Sequence, residues 1–568
     1  MNSFNNIHYS KNMFKSIRHI FFTLTTTLVM FLLGSCNKDP FSGISIVIDP
    51  QLMEYTAMVE ILDAKDREAL SVLGDNLQVT FESVPGSFPA SEVLNNNGKR
   101  VYDIIDGRLS IGLHPRVSIA PGEIKAVMMR ITADGYQDKT TYLYFQQSLK
   151  SQNAFITMIN LEAPPSGVGT SDTAIALGSG GTTSTAVVVT TANSATGGGG
   201  NTNQDVQITI PAATQFKNDA GVVVTGTDLK VQIASFDARD SNALVNFPGG
   251  FSPDGVLNLP GAGGNRSDSN EVYFQTGGFT SVDMTVNNVP IRSFNQPINV
   301  SVDVDSLTIN PNTGNPVQVG DSLPIWSYDN QTAKWSYERV GLIVRDPSGK
   351  MKVDFPTTHL SWFNLDWYGV RCGSPTRLQV NIPALPAGVK QYFWIEIVHA
   401  GTNQLVTAWA ANNKLIGNGE IIDFLSVPFR NTANQLVNMQ AKIYRSPSKT
   451  QLLATSANFR CGMTQPVTIN IPAPPPPITL DVTGVCANKS YVQFRPSFPL
   501  YYKAANSTGP YEYLGYVNNG AFSTTSLNVG STYKFRSYFN GQTIDSTMTI
   551  NQTNFIYSID MGSYCNNF

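Results

Sequence analysis

The chain has 568 residues, 38 basic and 41 acidic side chains, and a net charge of −3 at pH 7. Charged residues make up only 14% of it and form no basic stripe or patch, which excludes the usual kind of nucleic-acid-binding protein. The 46 glycines and 33 prolines predict many turns, and a chain of this length is expected to contain several domains.

The N-terminus predicts export and a lipid anchor. Basic residues between positions 11 and 18 precede HIFFTLTTTLVMFLLGS, an apolar stretch of signal-peptide length that is short for a membrane span. We therefore assign residues 1–35 to a signal peptide. Leu33-Gly34-Ser35-Cys36 resembles the lipobox of bacterial lipoproteins. The resemblance implies diacylglycerol on the Cys36 sulfur and an acyl chain such as palmitate on its amine; the alternative is a buried structural cysteine.

The residues after Cys36 bear on where the anchor lies. Asn37-Lys38-Asp39 resembles the signal that sends some lipoproteins to the outer face of the outer membrane. This resemblance implies a protein exposed at the cell surface and held by outer-membrane lipid, with residues 36–43 as anchor and tether. Several acyl chains anchor stably because each buried CH₂ contributes ~0.8 kcal/mol.

The first ordered unit is predicted to span residues 44–163. In YTAMVEILDAKDREAL the apolar residues Ala57, Val59 and Ile61 alternate before a turn, and GEIKAVMMRITADGYQDKTTYLYFQ continues the two-residue period. The pattern resembles the small β-sandwich modules of the transthyretin and carboxypeptidase regulatory type. This resemblance implies a module that holds the following domains away from the membrane.

Residues 164–184 are predicted to form a flexible linker. Their Gly, Ser and Thr content offers too little apolar surface to offset the entropy lost on ordering. The next residues, TAVVVTT, are compatible with a strand of the following domain.

Residues 185–367 are predicted to form a second β-sandwich. DVQITIPAATQFKNDAGVVVTG and PINVSVDVDS alternate apolar and polar residues, and LPIWSYDNQTAKWSYERVGLIVRDPSGKMKVDFPTTHLSWFNLDW follows. The two spaced tryptophans and the terminal His-Leu-Ser resemble two related groups of extracellular β domains over residues 205–367. One is shared with cartilage intermediate layer protein, and the other is the autoproteolysis-inducing domain of adhesion receptors.

The second resemblance implies a chemical role for His359-Leu360-Ser361. In the self-cleaving relatives the histidine acts as general base toward the hydroxyl two residues later, which attacks the preceding carbonyl and gives an ester that water hydrolyses. Carried over, His359 is the base, Ser361 the nucleophile and the bond between Leu360 and Ser361 the scissile one. The alternative is a structural role for His359, with Trp362 and Phe363 in the core.

This sequence departs from the receptor motif in lacking its cysteines. None lies between Cys36 and Cys372, so strain on the scissile peptide has to come from packing of the neighbouring tryptophans, Trp326, Trp335 and Trp362.

Other catalytic or metal-binding patterns are weaker. The mature chain keeps three histidines far apart in sequence, and no His or Cys spacing matches a zinc site. Asp303, Asp305 and Asp321 offer the carboxylate oxygens that calcium takes, without a twelve-residue calcium loop, so solvated strand ends and a calcium site both stay open. The sequence therefore predicts a non-enzyme without a cofactor other than the covalent lipid.

The C-terminal third is predicted to hold two further sandwiches, at residues 368–459 and 460–568. RCGSPTRLQVNIP begins at Arg371 and RCGMTQPVTINIP at Arg460, an echo that predicts two related units, each opening with a strand. A polyproline spacer follows the second copy, and Asn519-Gly520 is a hairpin turn signal.

Four cysteines remain besides the anchor, and an even number favours disulfides in an oxidising compartment. Four cysteines allow three pairings. We favour Cys372–Cys461 and Cys486–Cys565, because each ties the start of a unit to its end.

The sequence as a whole predicts an all-β lipoprotein, a rod of about four immunoglobulin-like or transthyretin-like sandwiches that serves in binding, adhesion or envelope structure. Glycans are the sharper ligand prediction, with a protein ligand as the alternative. The aromatic residues that offer stacking surfaces for sugars are Trp362, Trp367, Tyr368, Tyr501 and Tyr502, each of which has a core position as its alternative. The self-cleaving surface protein is the alternative from another class.

Overall fold

The computed structural model describes residues 46–48 and 53–560, apart from gaps at 68, 71–75, 85, 96–98, 103, 105–106, 122, 148–149, 192–203, 254, 262–264, 270, 330–333, 407–412, 425, 447–448, 488, 510 and 540–541. These residues form β-sandwiches in tandem, which confirms the predicted all-β class. Within them no helix is long and apolar enough to cross a membrane. Cys36 and Cys565 lie outside the described residues.

The first described element is a short strand, β1 (Ile46–Ile48). The first sandwich follows, with a short 3₁₀ turn at Ala90–Glu92. Its strands are β2 (Thr56–Asp63), β3 (Gln78–Ser83), β4 (Val93–Asn95), β5 (Arg108–Leu113), β6 (Ile124–Thr132), β7 (Lys139–Gln146) and β8 (Ser151–Met158).

The first sandwich stacks the sheet β4-β5-β2-β8 on the sheet β3-β6-β7. The predicted alternation is correct, since Ala57, Val59 and Ile61 are buried in the core between the sheets. The intervening residues of β2 are buried as well, because neighbouring domains cover its outer face.

The second sandwich is the largest and contains one short helix, α1 (Ser241–Leu244). Its strands are β9 (Val168–Ala176), β10 (Val187–Thr190), β11 (Val206–Ile210), β12 (Phe216–Lys217), β13 (Asp228–Phe236), β14 (Val256–Pro260), β15 (Arg266–Ser269), β16 (Val272–Val286), β17 (Val289–Pro290), β18 (Ser293–Asp303), β19 (Ile309–Asn310), β20 (Asn315–Pro316), β21 (Ser322–Asp329), β22 (Lys334–Arg345), β23 (Met351–His359) and β24 (Trp362–Arg371).

The long strand β22 joins the two sheets of the second sandwich. It pairs with β21 as far as Leu342, and its last three residues pair with β23 instead. One sheet therefore runs β10-β11-β18-β23 and the other β22-β21-β24-β16-β13-β9. Val206, Ile208 and Ile210 of β11 lie fully buried between them, as their alternation predicts.

The third sandwich stacks β28-β25-β32 on β27-β26-β30-β31. Its strands are β25 (Thr376–Asn381), β26 (Lys390–His399), β27 (Asn413–Gly417), β28 (Ile421–Phe424), β29 (Pro428–Arg430), β30 (Met439–Tyr444), β31 (Leu452–Thr455) and β32 (Thr464–Thr468).

The fourth sandwich has one sheet built on β33, with β34, β37 and β40, and another in the order β36-β35-β38-β39. Asn519 and Gly520 have positive φ in the turn between β36 and β37, which confirms the predicted turn. Its strands are β33 (Ile478–Cys486), β34 (Lys489–Phe494), β35 (Phe498–Ala504), β36 (Glu512–Val517), β37 (Ala521–Thr524), β38 (Thr532–Phe539), β39 (Gln542–Thr549) and β40 (Asn554–Asp560).

Two predicted boundaries are wrong at the start of domains. Much of the predicted linker 164–184 is strand β9, which pairs with β13 over nine residues. Its Thr170 hydroxyl is buried and donates to the Leu161 carbonyl (2.6 Å), so polar residues here satisfy their hydrogen bonds inside the fold. β1, predicted within the first sandwich, pairs in parallel with β34 of the fourth.

The echo at Arg371 and Arg460 does not mark two separate units. Strands β25 and β32 pair in parallel within the third sandwich, with Val380 opposite Val467. The boundary predicted at residue 460 is therefore wrong, and the proline-rich segment lies between the third and fourth sandwiches. The likeness of the two segments follows from their equivalent places, since each buries its alternate apolar residues in one core.

The four sandwiches pack against one another, so the predicted rod is also wrong. The first three share an aromatic cluster that includes Trp326, Trp335 and Trp362. Between the third and fourth, the rings of Tyr392 and Tyr513 lie 5.6 Å apart. The fourth also contacts the first, where Tyr501 packs against Met58. Hydrophobic outer faces explain the packing, because an exposed apolar sheet face is unfavourable in water.

Candidate functional site

The predicted self-cleavage site lies at the turn between β23 and β24. The Ser361 hydroxyl accepts a hydrogen bond from the Tyr328 N–H (2.7 Å) and lies 2.8 Å from the carbonyl oxygens of Tyr328 and Trp362, to one of which it donates. The Leu360 N–H is held by the Arg292 carbonyl (2.9 Å). The hydrogen bonds described for this hydroxyl are therefore all with main-chain groups.

His359 lies on the other side of this turn. Its Nε2 is 3.5 Å from the Glu338 carboxylate, its Nδ1 is 3.4 Å from the Thr357 hydroxyl, and its side chain is 39% exposed. None of the hydrogen bonds described for Ser361 involves the imidazole, and residues 359–361 are not among the described residues with positive φ. The described contacts of Ser361 therefore lack the base that cleavage requires, and no positive φ marks strain at residues 359–361.

Three of the aromatic residues that the sequence offered to sugars are core residues. Trp362, Trp367 and Tyr501 are 6%, 1% and 0% exposed, so the prediction that they stack on sugar rings is wrong. Trp362 instead stacks on Phe236 with ring centroids 5.3 Å apart. Tyr368 is partly buried against the same aromatic cluster.

The aspartates considered for calcium are engaged in other contacts. Asp303 pairs with Lys350 (3.1 Å), Asp305 pairs with Arg239 (2.8 Å), and Asp321 accepts from the Gln318 N–H (2.9 Å). Among the described residues no group of three or more His, Cys, Asp or Glu side chains is placed to hold a metal ion.

The predicted disulfide between Cys372 and Cys461 is confirmed. Their Cα atoms lie 5.6 Å apart, and the bond closes the third sandwich across 89 residues. The pairing of Cys486 with Cys565 stays a prediction, because Cys565 lies outside the described part.

A different site lies where the first three sandwiches meet, and we call it the junction pocket. It has a volume of ≈ 70 Å³. The strands β7 and β8 form one side, the loop after α1 a second and the outer face of β26 a third. Its polar lining includes Arg67, Lys139, Thr157, Glu396 and Lys449.

One wall of the junction pocket is a satisfied ionic cluster. Glu396 has a side chain only 4% exposed and pairs with Lys449 (3.1 Å). The Trp394 indole N–H also donates to Glu396 (3.1 Å), and the Lys449 ammonium donates to the Ser241 hydroxyl (3.1 Å). This wall joins the third sandwich to the second.

The opposite wall carries a cation without a partner. The Lys139 ammonium nitrogen is buried, and no hydrogen bond or ion pair to it occurs within the described residues. Burial and, to a smaller extent, the Arg67 guanidinium lower the pKa of Lys139 to about 7. Arg67 itself donates to the Asn242 side chain (3.0 Å). Its guanidinium also interacts electrostatically with the carboxylates of Glu396, Asp63 and Asp240.

Sequence reasoning missed the junction pocket, although two signals were present. Glu396 is the single acid in the apolar strand YFWIEIVH, and Lys139 begins a strand whose residues Leu143 and Phe145 point into the core. A charged residue at such positions indicates either a partner or a site. The partners come from other domains, and the sequence of one strand does not reveal them.

The fold defines a class of protein, a chain of packed all-β sandwich domains. No family model matches it, and no curated protein matches it. Among solved structures, the chain is similar to the TIE protein of Bacillus anthracis, with 8% identity over 76% of this chain and 71% of that chain and a TM-score of 0.13.

Two further solved structures are similar to the chain. One is a single B repeat unit of the collagen-binding surface protein of Staphylococcus aureus (11% identity, 32% of this chain, 87% of that chain, TM-score 0.12). The other is BcpA, the major pilin subunit of Bacillus cereus (9% identity, 89% of this chain, 98% of that chain, TM-score 0.11).

Proposed function

We propose that the protein is a non-catalytic surface lipoprotein that binds a ligand at the cell surface. The anchor rests on the lipobox-like residues ending at Cys36, and the binding role rests on the second sandwich. There Val340, Leu342 and Val344 point outward from β22 and are 51%, 58% and 39% exposed. We call these three residues the β22 stripe.

The β22 stripe is the single observation that carries the binding role. Scattered exposed apolar residues are common, whereas apolar residues in a continuous row mark a contact surface. Arg339 and Arg345 flank the stripe and are exposed, so a partner with an apolar ridge and acidic flanks fits it best. Glycan binding is a sharper version of this proposal, in which Trp362, Trp367 and Tyr501 take no part because they are core residues.

The binding role is tested by adhesion of cells that carry the protein. Leu342→Asp is expected to reduce attachment at least tenfold, because a carboxylate in the centre of an apolar contact is desolvated without a partner. Val101→Asp is the matched control, since Val101 is 64% exposed on the first sandwich and is not part of the stripe. Equal attachment by wild type and Leu342→Asp at equal surface level contradicts the role of the stripe.

The anchor is tested separately. Wild type is expected to partition into detergent and to be cleaved by protease added to intact cells, whereas Cys36→Ser is expected to stay in the aqueous phase. Aqueous partitioning of the wild type contradicts the lipid anchor.

A further inference from the structure

The junction pocket is a partly enclosed space beside a buried cation that has no partner within the described residues. Of the charged side chains in its lining, Glu396 and Lys449 neutralise each other across 3.1 Å. Of the two other cations, Arg67 donates to the Asn242 side chain (3.0 Å) and interacts electrostatically with Asp63 and Asp240, whereas the Lys139 ammonium has no partner in the part of the chain that the structure describes. An ammonium buried without a hydrogen bond loses its hydration and receives nothing in return, which is among the least favourable arrangements in a protein interior.

The chemistry of the lining identifies the kind of partner that Lys139 lacks. The missing partner has to be negative, because it faces an ammonium and a guanidinium. It has to accept hydrogen bonds, because both groups are donors only, and a guanidinium pairs best with two oxygens of a carboxylate or phosphate. It has to be small, because the pocket volume is only ≈ 70 Å³. A carboxylate or a phosphate group meets all three conditions.

We infer that the junction pocket binds a small oxyanion, a carboxylate or a phosphate, between the Lys139 ammonium and the Arg67 guanidinium. The anion accepts hydrogen bonds from both cations. It also lies where the first, second and third sandwiches meet, so that its binding holds the three together. Phe155 and Trp394, whose ring centroids are 6.0 Å apart, close the pocket from the side of the first and third sandwiches.

The affinity is expected to depend on pH through Lys139. Its pKa of about 7 means that the ammonium is charged at pH 6 and largely neutral at pH 8. The other groups that face the pocket are Arg67 on the turn after β2, Tyr142 and Tyr144 on β7, Glu396 on β26 and Lys449. Binding at pH 8 is therefore expected to be about tenfold weaker than at pH 6, since one pH unit above the pKa removes about nine-tenths of the charge.

The test is calorimetric titration of the full chain in detergent with sodium acetate and, separately, with inorganic phosphate, against sodium chloride at equal ionic strength. Binding of acetate alone identifies a carboxylate site, binding of phosphate alone identifies a phosphate site, and binding of both supports the general oxyanion. If neither acetate nor phosphate binds at pH 6, the inference is overturned.

Substitutions separate the pocket from nonspecific charge effects. Lys139→Met is expected to abolish binding and, in chloride alone, to raise the unfolding midpoint, because it removes a buried unpaired cation. Lys139→Arg is expected to retain binding. Lys414→Met is the matched control, since burial also lowers the pKa of Lys414, to about 8, and Lys414 does not line the pocket. Anion binding by Lys139→Met equal to that of the wild type overturns the inference.

Discussion

The Arg108 guanidinium lies 4.3 Å from the ring centroid of Tyr501. Arg108 belongs to the first sandwich and Tyr501 to the fourth, and the two side chains are 8% and 0% exposed. Arg108 also pairs with the buried Glu60 carboxylate at 3.3 Å. The contact between two domains far apart in sequence therefore includes a buried ion pair capped by an aromatic ring.

Removal of Arg108 is expected to be costly. Burial raises the pKa of Glu60 although Arg108 and Asn153 lower it, so Glu60 depends on these partners to stay ionised. Arg108→Met leaves Glu60 buried without its cation and is expected to reduce the free energy of unfolding by about 3–5 kcal/mol. Urea denaturation measures the loss.

Two controls define this prediction. Adding Glu60→Gln to Arg108→Met is expected to recover much of the stability, because it removes the isolated charge. Arg377→Met breaks an ion pair whose partners are 48% and 54% exposed, and about 1 kcal/mol or less is expected there. A loss for Arg108→Met no larger than for Arg377→Met would contradict a role for the buried pair.

The buried carboxyl of Asp366 is expected to make the free energy of unfolding depend on pH. It is fully buried on β24, and burial raises its pKa well above the usual range, against the hydrogen bonds of Thr276 and Asn364. The folded protein thus keeps this proton to a higher pH than the unfolded chain does. Its contribution to stability is complete below pH 4 and declines as pH rises toward the folded pKa.

Asp366→Asn is expected to remove this decline, because an amide does not ionise. The unfolding midpoint of Asp366→Asn minus that of the wild type is expected to become larger as the pH rises from 4 to 8. Asp283, whose pKa burial raises to about 6, adds a decline of the same sign between pH 4 and 6 in both proteins. Asp346→Asn is the control: hydrogen bonding to Ser348 lowers the pKa of Asp346, and this substitution leaves the decline in place. A midpoint difference that does not change with pH would rule out Asp366 as the titrating group.

The fourth sandwich is expected to gain stability from a larger side chain. An apolar cavity of ≈ 280 Å³, partly open to solvent, lies between its sheets, and Val482 in the lining is 2% exposed. Val482→Ile adds one buried CH₂ and is expected to stabilise by up to about 1 kcal/mol, measured as slower amide hydrogen exchange in β33 and β40.

Val380→Ile makes the same chemical change in the third sandwich. Val380 is 0% exposed in that core and does not line the cavity, so overpacking is expected to cost about 1–3 kcal/mol there. Destabilisation by Val482→Ile as large as by Val380→Ile would show that the cavity does not accept the added carbon.

Ser361 is expected to act in stability and not in cleavage. Ser361→Ala leaves the Tyr328 N–H without its acceptor and is expected to reduce the free energy of unfolding by about 1–3 kcal/mol. Intact mass under denaturing, reducing conditions is expected to show one chain for both proteins. Fragments ending at Leu360 and beginning at Ser361 in the wild type alone would restore the self-cleavage hypothesis.

The sequence by itself determined the class of fold and most strands. Alternation in segments such as Val206-Gln207-Ile208-Thr209-Ile210 requires one buried face, whichever neighbour covers it, so local pattern is sufficient to predict the strand. The same holds for the turn at Asn519-Gly520, whose two positive φ values these residues accept readily. The Cys372–Cys461 bond was predicted because it ties the start of a unit to its end.

The tertiary structure decided which strands belong together and where charges meet. The pairing of β25 with β32, the position of β1 and the contact of Arg108 with Tyr501 all join residues far apart in sequence, and hydrophobic pattern does not encode the neighbour. The junction pocket depends on the same information. Lys139, Arg67 and Glu396 are ordinary charged residues in their own segments, and only the packing of three domains removes water from them and leaves one cation without a partner.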